Sequence, residues 1–275
     1  MKQDLKLSLK EDVKSFWGEA SCGENLFLSG FEKIDYLNHS KKKYELEPEI
    51  ITFTQFYLFK GLKTLEIGVG LGAEHQKLAE AGAELYGIDL TERAIGHTSR
   101  RFSFFGLQSI LNTGDAENLV FDNESFDAVF SWGVIHHSPN TKKAVAEIYR
   151  VLKRGGFAKI MIYHKYSLIG YMLWIRYALL VLKPFRSLNY IYHHYLESPG
   201  TKAYSYKEAK LLFKDFEIVS IESTLGHGDL LTSQTGQRHQ GFALSLARKV
   251  WPRWFFKRFM PQHGLSLMIS LRKKE

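Results

Sequence analysis

The sequence predicts an α/β domain built on a parallel sheet wrapped by helices on both faces, and three observations point to it. From Leu62 to Tyr163 short apolar runs alternate with stretches of helical spacing, the pattern of successive βαβ units. The first run ends at a glycine-rich turn, Glu66-Ile67-Gly68-Val69-Gly70-Leu71-Gly72, which opens a helical stretch. Glycines there let the backbone bend sharply and approach a ligand, and a helix N-terminus offers free N–H groups and partial positive charge. The chain has 275 residues, 45% hydrophobic and 24% charged, which suits one elaborated globular domain with a substantial core.

Taken in order, residues 1–60 are polar and helical in pieces. Val13, Phe16 and Trp17 fall at helical spacing within Glu11–Ala20, and Ile50–Phe59 forms an apolar helix leading into the first strand. The expected strands are Lys63–Ile67, Glu84–Asp89, Ser109–Asn112, Phe126–Ser131 and Ala158–Tyr163. Helices are expected over Ala73–Ala81, Thr91–Phe104 and Thr141–Leu152. After Tyr163 the rhythm breaks. Ser167–Leu182 is the most apolar stretch, 16 residues with Arg176 inside, short of the roughly 20 uncharged residues of a membrane crossing. It reads as a cap over a substrate pocket, or as a helix lying in a membrane interface, so peripheral membrane contact stays open and no transmembrane span is expected. Ser205-x-x-Glu208 is a capping box that starts a helix from Tyr206 to about Lys214. Phe216–Glu222 alternates like a half-exposed strand, Gly226–Gly241 is a long polar loop, Phe242–Met260 is a basic, aromatic helix candidate interrupted at Pro252, and Gly264–Leu271 closes as a strand.

Charge and cysteine content narrow the setting. The 37 basic and 29 acidic residues leave a net charge of +8, which permits attraction to nucleic acid, anionic lipid or an acidic partner without choosing among them. One cysteine, Cys22, excludes an internal disulfide framework and suits a reducing compartment. The segment Met1–Lys6 lacks the apolar core of a signal peptide, so a cytoplasmic location is the expectation. Cys22 has no histidine adjacent in sequence and reads as a buried or lid cysteine rather than a nucleophile.

The glycine turn alone also satisfies the dinucleotide pattern G-x-G-x-x-G/A through Gly68, Gly70 and Ala73. Glu66 separates the readings. A carboxylate beside the turn repels a pyrophosphate and attracts a cation, and S-adenosyl-L-methionine carries an ammonium and a sulfonium. Glu-x-Gly-x-Gly-x-Gly resembles the first motif of the class I S-adenosylmethionine-dependent methyltransferases. The resemblance extends in order from Leu62 to Tyr163: Asp89 ends the second strand, Gly114-Asp115-Ala116-Glu117 follows the third, Ser131-Trp132-Gly133 exits the fourth, and Val151-Leu152-Lys153-Arg154-Gly155-Gly156 precedes the fifth, with Arg154 where the family usually has proline.

That resemblance implies a three-layer, Rossmann-like, seven-stranded sheet of order 3-2-1-4-5-7-6 with the last strand antiparallel. It implies a helical lid over residues 1–60, a methyltransferase domain over 61–275, and cap insertions near 165–204 and 226–262. By the same resemblance Glu66 and Asp89 hold the amino group and ribose, Gly68, Gly70 and Gly72 form the turn, Asp115 receives the adenine, and Leu90, Ala116, Ser131 and Trp132 border the cofactor. A base helps when the acceptor is a hydroxyl or a protonated amine. His164 is the first candidate, with His136 and His137 after the fourth strand; His227 and Asp229 sit where they can orient each other, although a turn held by Asp229 is the preferred reading of that loop. Two adjacent histidines lack a third ligand at a recognised spacing, so no metal is expected. The implied activity is methyl transfer to a small-molecule acceptor, at oxygen or nitrogen and with a lipophilic body suggested by the aromatic cap. A dehydrogenase, a nucleic-acid methyltransferase, and a non-catalytic cofactor-binding or membrane-associated protein remain alternatives. The Asn/Asp-Pro-Pro-Tyr/Phe motif of base-modifying enzymes is absent from Ser131–Val134, so a nucleic-acid acceptor is disfavoured.

Overall fold

The computed structural model describes residues 2–233 and 248–275, without the side chains of residues 2–5. Four helices lead in: α1 (Lys2–Glu19), α2 (Glu24–Phe27), α3 (Lys33–Leu46) and α4 (Glu49–Thr54). The expected helix over Ile50–Phe59 is broken at Gln55, whose φ of 52° turns the chain into a short 3-10 segment, Phe56–Phe59. The alternating region follows as β1 (Lys63–Ile67), α5 (Ala73–Glu80), β2 (Glu84–Asp89), α6 (Glu92–Phe105), β3 (Ile110–Thr113), β4 (Phe126–Trp132), α7 (Thr141–Val151) and β5 (Leu152–Tyr163). Next come α8 (Leu168–Trp174), α9 (Leu188–Tyr195), α10 (Tyr206–Leu212), β6 (Glu217–Thr224), α11 (Arg253–Phe259) and β7 (Ser266–Arg272).

The seven strands form one sheet of order β3-β2-β1-β4-β5-β7-β6, the order the sequence implies. β1 pairs in parallel with β2 and β4, and β7 runs antiparallel between β5 and β6. β1 is central because four of its five residues are buried. Leu78 of α5 and Phe102 of α6 pack on one side of the sheet against Leu85 and Phe130. Ile148 of α7 and Ala209 of α10 join a second cluster with Ile160 and Ile269. Helix starts carry their own signals: Thr91 Oγ1 accepts the Ala94 N–H, Asn140 Oδ1 that of Lys143, and Ser205 and Glu208 close a reciprocal box. Each such cap contributes about 1 kcal/mol.

β5 begins six residues earlier than expected, because Leu152 already pairs with Phe126 across a register shift and Gly155-Gly156 lies inside the strand. Ser167–Leu182 is not one helix. α8 gives way to a π turn over Ile175–Leu179, and the chain reverses at Leu182, whose φ is +56°. Among the described residues no helix is long and apolar enough to cross a membrane. α8 and α9 enclose a small core of their own around Leu173, Ile191 and Leu196. The buried Tyr192 hydroxyl fixes this unit to the end of β5, lying 3.0 Å from the carbonyls of both His164 and Lys165 and 2.8 Å from Ser167 Oγ. α11 starts directly after Pro252, while residues 234–247, which hold the second half of the expected polar loop and the start of the expected late helix, lie outside the described residues.

Candidate functional site

Strand order reverses between β1 and β4, and a cavity of about 830 Å³ is lined by residues at their carboxyl ends, the place where open α/β sheets hold ligands. Gly68, Gly70 and Gly72 follow β1 with φ of 84°, 52° and 75°. A Cβ on Gly68 would lie 2.2 Å from Val134 Cγ2 and one on Gly72 would lie 2.8 Å from Thr98 Oγ1, but one on Gly70 would meet nothing within 4 Å. The outer glycines therefore permit close packing, and the middle one faces open space.

Glu66 is 2% exposed, yet it lines the cavity. Its Oε2 lies 2.8 Å from His75 Nδ1, His75 Nε2 lies 2.8 Å from Ser109 Oγ, and the Ser109 hydroxyl donates to Leu85 O at 2.8 Å. Since Ser109 uses its proton on Leu85, it accepts from Nε2. The network thus assigns Nδ1 as an acceptor facing Glu66. Burial lowers His75 to about 3, and burial followed by the charge of Glu74 raises Glu66 well above the usual carboxyl range. Both directions leave the shared proton on the carboxyl. Gly87 stands opposite Glu66 in the β1–β2 register, and a Cβ there would come within 2.6 Å of His75 Cε1. A glycine leaves room for the ring.

Asp89, at the end of β2, accepts the Gly70 N–H at 3.2 Å and the Thr91 N–H at 3.0 Å, and burial raises its carboxyl. Asp115 accepts from Lys10 at 2.6 Å, and Lys10 also reaches Glu117 at 3.2 Å. Lys10, Val13 and Trp17, spaced along one face of α1, line the cavity. α3 contributes Lys43, which donates to Glu74 at 2.7 Å. Arg101 of α6 holds α3 in place. It has no exposure and donates to Ser40 Oγ at 2.7 Å, Gln76 Oε1 at 2.9 Å, His39 Nδ1 at 2.9 Å and Tyr36 O at 3.3 Å.

Beyond Trp132 the cavity is lined by Met161 and Tyr163 of β5, by His137, Glu47, Glu49 and Glu197, and by Ile169, Met172 and Leu173 of α8. The Tyr163 hydroxyl donates to Glu197 Oε2 at 2.7 Å, and His137 Nε2 stands 3.5 Å from the same oxygen. Burial lowers His137 to about 3. Glu49 precedes Phe53 by one turn of α4, and Phe53 packs on Trp132 with ring centroids 6.0 Å apart. Burial, with the neighbouring charge of Glu47, raises Glu49 to about 7.

Of the residues singled out from sequence, Glu66, Gly68, Gly70, Asp89, Leu90, Asp115, Ala116, Trp132 and His137 line the cavity. Gly72 caps α5 behind it, and Ser131 Oγ donates to Ile67 O at 3.1 Å, tying β4 to the end of β1. His136 and His164 are not among the lining residues. His136 is fully buried, 3.9 Å from the Tyr163 ring and 4.2 Å from that of His137, with neither nitrogen bonded among the described residues. His164 Nδ1 meets Gly264 O at 3.2 Å and its ring lies edge-on to Tyr206. Neighbouring residues on a strand face opposite sides, so Tyr163 occupies the place expected of His164. His227 and Asp229 do not orient each other. Asp229 accepts the Gly226 and Leu265 N–H groups, whereas His227 Nε2 stands 3.7 Å from Glu47 Oε1. Cys22 lines the cavity and is exposed there rather than buried. Among the described residues no group of three or more His, Cys, Asp or Glu side chains is placed to hold a metal ion.

Residues 65–160 match a family model described as a methyltransferase domain. A phthiotriol/phenolphthiotriol dimycocerosates methyltransferase of Mycobacterium leprae is 40% identical over 107 residues, 38% of this chain and 38% of that one. Phosphoethanolamine N-methyltransferase 2 of Caenorhabditis elegans is 36% identical over 107 residues, 38% of this chain and 24% of its own length. The matches thus span well under half of these curated relatives. A solved S-adenosylmethionine-dependent methyltransferase from Aquifex aeolicus shares the fold, with a TM-score of 0.53, 14% identity, and 89% of this chain and 100% of that chain covered.

Proposed function

We propose, for a chain that belongs to the class I S-adenosylmethionine-dependent methyltransferases, transfer of a methyl group from S-adenosyl-L-methionine to a small-molecule acceptor with a lipophilic body, at oxygen or nitrogen. The observation that carries this reading is one continuous cavity, lined by Glu66 and Asp89, then Trp132, then Ile169, Met172, Leu173 and Leu196. At about 830 Å³ it has room for donor and acceptor together.

The donor half fits such a cofactor on the chemistry of its side chains. Open space above Gly70, free N–H groups at the start of α5, a buried carboxyl at Glu66 and a half-buried one at Asp89 suit a ligand that carries a carboxylate, an ammonium and ribose hydroxyls. Glu66 would take the ammonium, Asp89 the ribose and Lys43 the carboxylate, while Asp115 stands at the adenine edge with Lys10 across it. Residues 1–60 act as the lid, and the segment around 165–204 with the described parts of 226–262 as the cap.

When bound, the donor supplies a methyl carbon already activated by its sulfonium. The protein's share is alignment, exclusion of water and handling of one proton. Glu49 is the group best matched to that proton near neutral pH. His137, held at about 3, is a weak acceptor and reads as a positioning residue. Matched relatives named for acceptors as different as phosphoethanolamine and phthiotriol dimycocerosates support placing acceptor choice in the cap rather than in the matched segment. The single cysteine keeps a cytoplasmic setting within this reading.

Calorimetry with S-adenosylhomocysteine and with NAD tests the cofactor, and transfer of labelled methyl groups to long-chain alcohols, phenols and amines, recovered by organic extraction, tests the acceptor. Binding of NAD without S-adenosylhomocysteine overturns the first half. Label confined to nucleic acid overturns the second.

A further inference from the structure

Where the cavity meets solvent, the cap leaves apolar side chains uncovered. Leu180 lines the cavity and is itself 72% exposed, so it stands at the mouth. Beyond it Leu182 is 89% and Phe185 99% exposed. Leu182 projects from a backbone with φ of +56°, a conformation that costs a non-glycine residue energy, and its N–H bonds to Leu179 O while its side chain is left in solvent. α11 supplies a second ridge, with Trp254, Phe255 and Phe259 exposed. Trp251, just ahead of that helix, lines the same cavity and donates its indole N–H to Asp229 O at 3.0 Å. The cavity is thus lined by a residue of the first ridge, Leu180, and by Trp251 just ahead of the second.

Charge decides what covers them. Neither Ser167–Leu196 nor Arg248–Met260 contains an aspartate or glutamate, while Lys183, Lys249, Lys257 and Arg258 are exposed among the apolar tips. A second copy docked through this same face would set cations against cations. Nucleic acid would leave the aliphatic Leu180 and Leu182 without a partner, since bases stack on aromatic and guanidinium planes. A bilayer with anionic headgroups satisfies both features: the tips enter the headgroup–acyl boundary and the cations meet phosphate or carboxylate.

We propose that the ridges formed by Leu180–Phe185 and α11 dock this protein on an anionic membrane surface, with the mouth of its cavity facing the lipid. The contact is peripheral and reversible, and an acceptor dissolved in the bilayer would reach the cavity without crossing water. Docking itself needs neither donor nor acceptor, so it stands or falls separately from the activity proposed above.

Sedimentation of the full chain with vesicles tests it, using phosphatidylcholine alone and about three parts phosphatidylserine to seven of phosphatidylcholine. Partitioning onto the anionic vesicles should exceed that onto neutral ones by about tenfold or more, and should collapse at high salt. Two double variants, Leu182→Ser with Phe185→Ser and Lys257→Glu with Arg258→Glu, should each lower it by roughly tenfold. Both sites are exposed, so thermal midpoint and S-adenosylhomocysteine affinity should stay at wild-type values and report intact folding. Equal binding to both vesicles, undiminished binding by the folded variants, or self-association that these substitutions abolish in the absence of vesicle binding would overturn the proposal.

Discussion

Glu66 Oε2 and His75 Nδ1 stand 2.8 Å apart in a part of the site with almost no exposure. The rest of the chain, through Ser109 to Leu85 O, orients the imidazole so that the proton between the two rests on the carboxyl. The group expected to meet a cation is thus neutral in the free protein.

Cofactor binding should therefore release a proton. A cation brought beside Glu66 favours the ionised carboxyl, while the free protein, with Glu66 raised, holds it protonated. Affinity for S-adenosylhomocysteine, which keeps the ammonium, should rise with pH. Calorimetry in buffers of different ionisation enthalpy should count the released proton, and Glu66→Gln should remove both the release and the pH dependence. Unchanged release in Glu66→Gln would assign the proton elsewhere.

The three glycines of the turn should respond differently to alanine. Gly68→Ala forces Cβ to within 2.2 Å of Val134 at a φ of 84°, so it should lose about 3 kcal/mol or more of stability. Gly70→Ala meets only open space and should lose about 1 kcal/mol from its positive φ. Its new methyl group projects toward the cavity, so it should still weaken S-adenosylhomocysteine binding by about tenfold, or ~1.4 kcal/mol. Urea titration and calorimetry read the two losses separately.

How much of this was legible in the sequence follows from what each signal encodes. Periodicity and turn chemistry locate β1, β2, β4 and the capping box at Ser205, because those depend on neighbours in sequence. The proton chain escaped, since His75, Ser109 and Leu85 meet only when β1, β2 and α5 are packed. Gly87, opposite Glu66, was its one local trace. Tyr163 was closer to hand: Met161 and Tyr163 share a strand face, so the alternation that buries Ile162 and His164 on the other side pointed to Tyr163 beforehand. Glu47, Glu49 and Glu197 carried no such pattern. They lie on helices or loops whose approach to the sheet is set by long-range contacts such as Arg101 with His39 and Lys43 with Glu74.

The Arg101–His39 contact also carries a pH signature. Arg101 is a donor only, so His39 Nδ1 accepts from it and the ring is neutral when folded. Burial, then the charges of Lys43 and Arg101, depress His39 from 6.5 to about 2. Its contribution to stability is whole above pH 6.5 and is lost as pH falls through the window between those values, at up to about 1.4 kcal/mol per unit. His75 and His137 act in the same sense, while Glu49 and Asp229, with raised carboxyls, oppose them. His39→Asn, which keeps an acceptor, isolates the effect. It should be less stable than wild type at pH 8 and lose the difference steadily below pH 6.5, as read from thermal midpoints across pH.

The pH profile of methyl transfer separates the two proton acceptors at the far end of the cavity. A carboxyl raised to about 7 is protonated below that value, so a step that needs Glu49 as acceptor should slow as pH falls through 7. His137, depressed to about 3, stays neutral throughout the same range and gives no such limb. Single-turnover rates should show the limb in wild type and in His137→Gln, and lose it in Glu49→Gln together with about a hundredfold in rate above pH 7. An amine acceptor is protonated in this region and adds a proton loss of its own, so the comparison is best made with a hydroxyl acceptor, whose ionisation lies far above it. If the limb persists in Glu49→Gln with that acceptor, the proton passes to another group and Glu49 only shapes the wall beside Trp132.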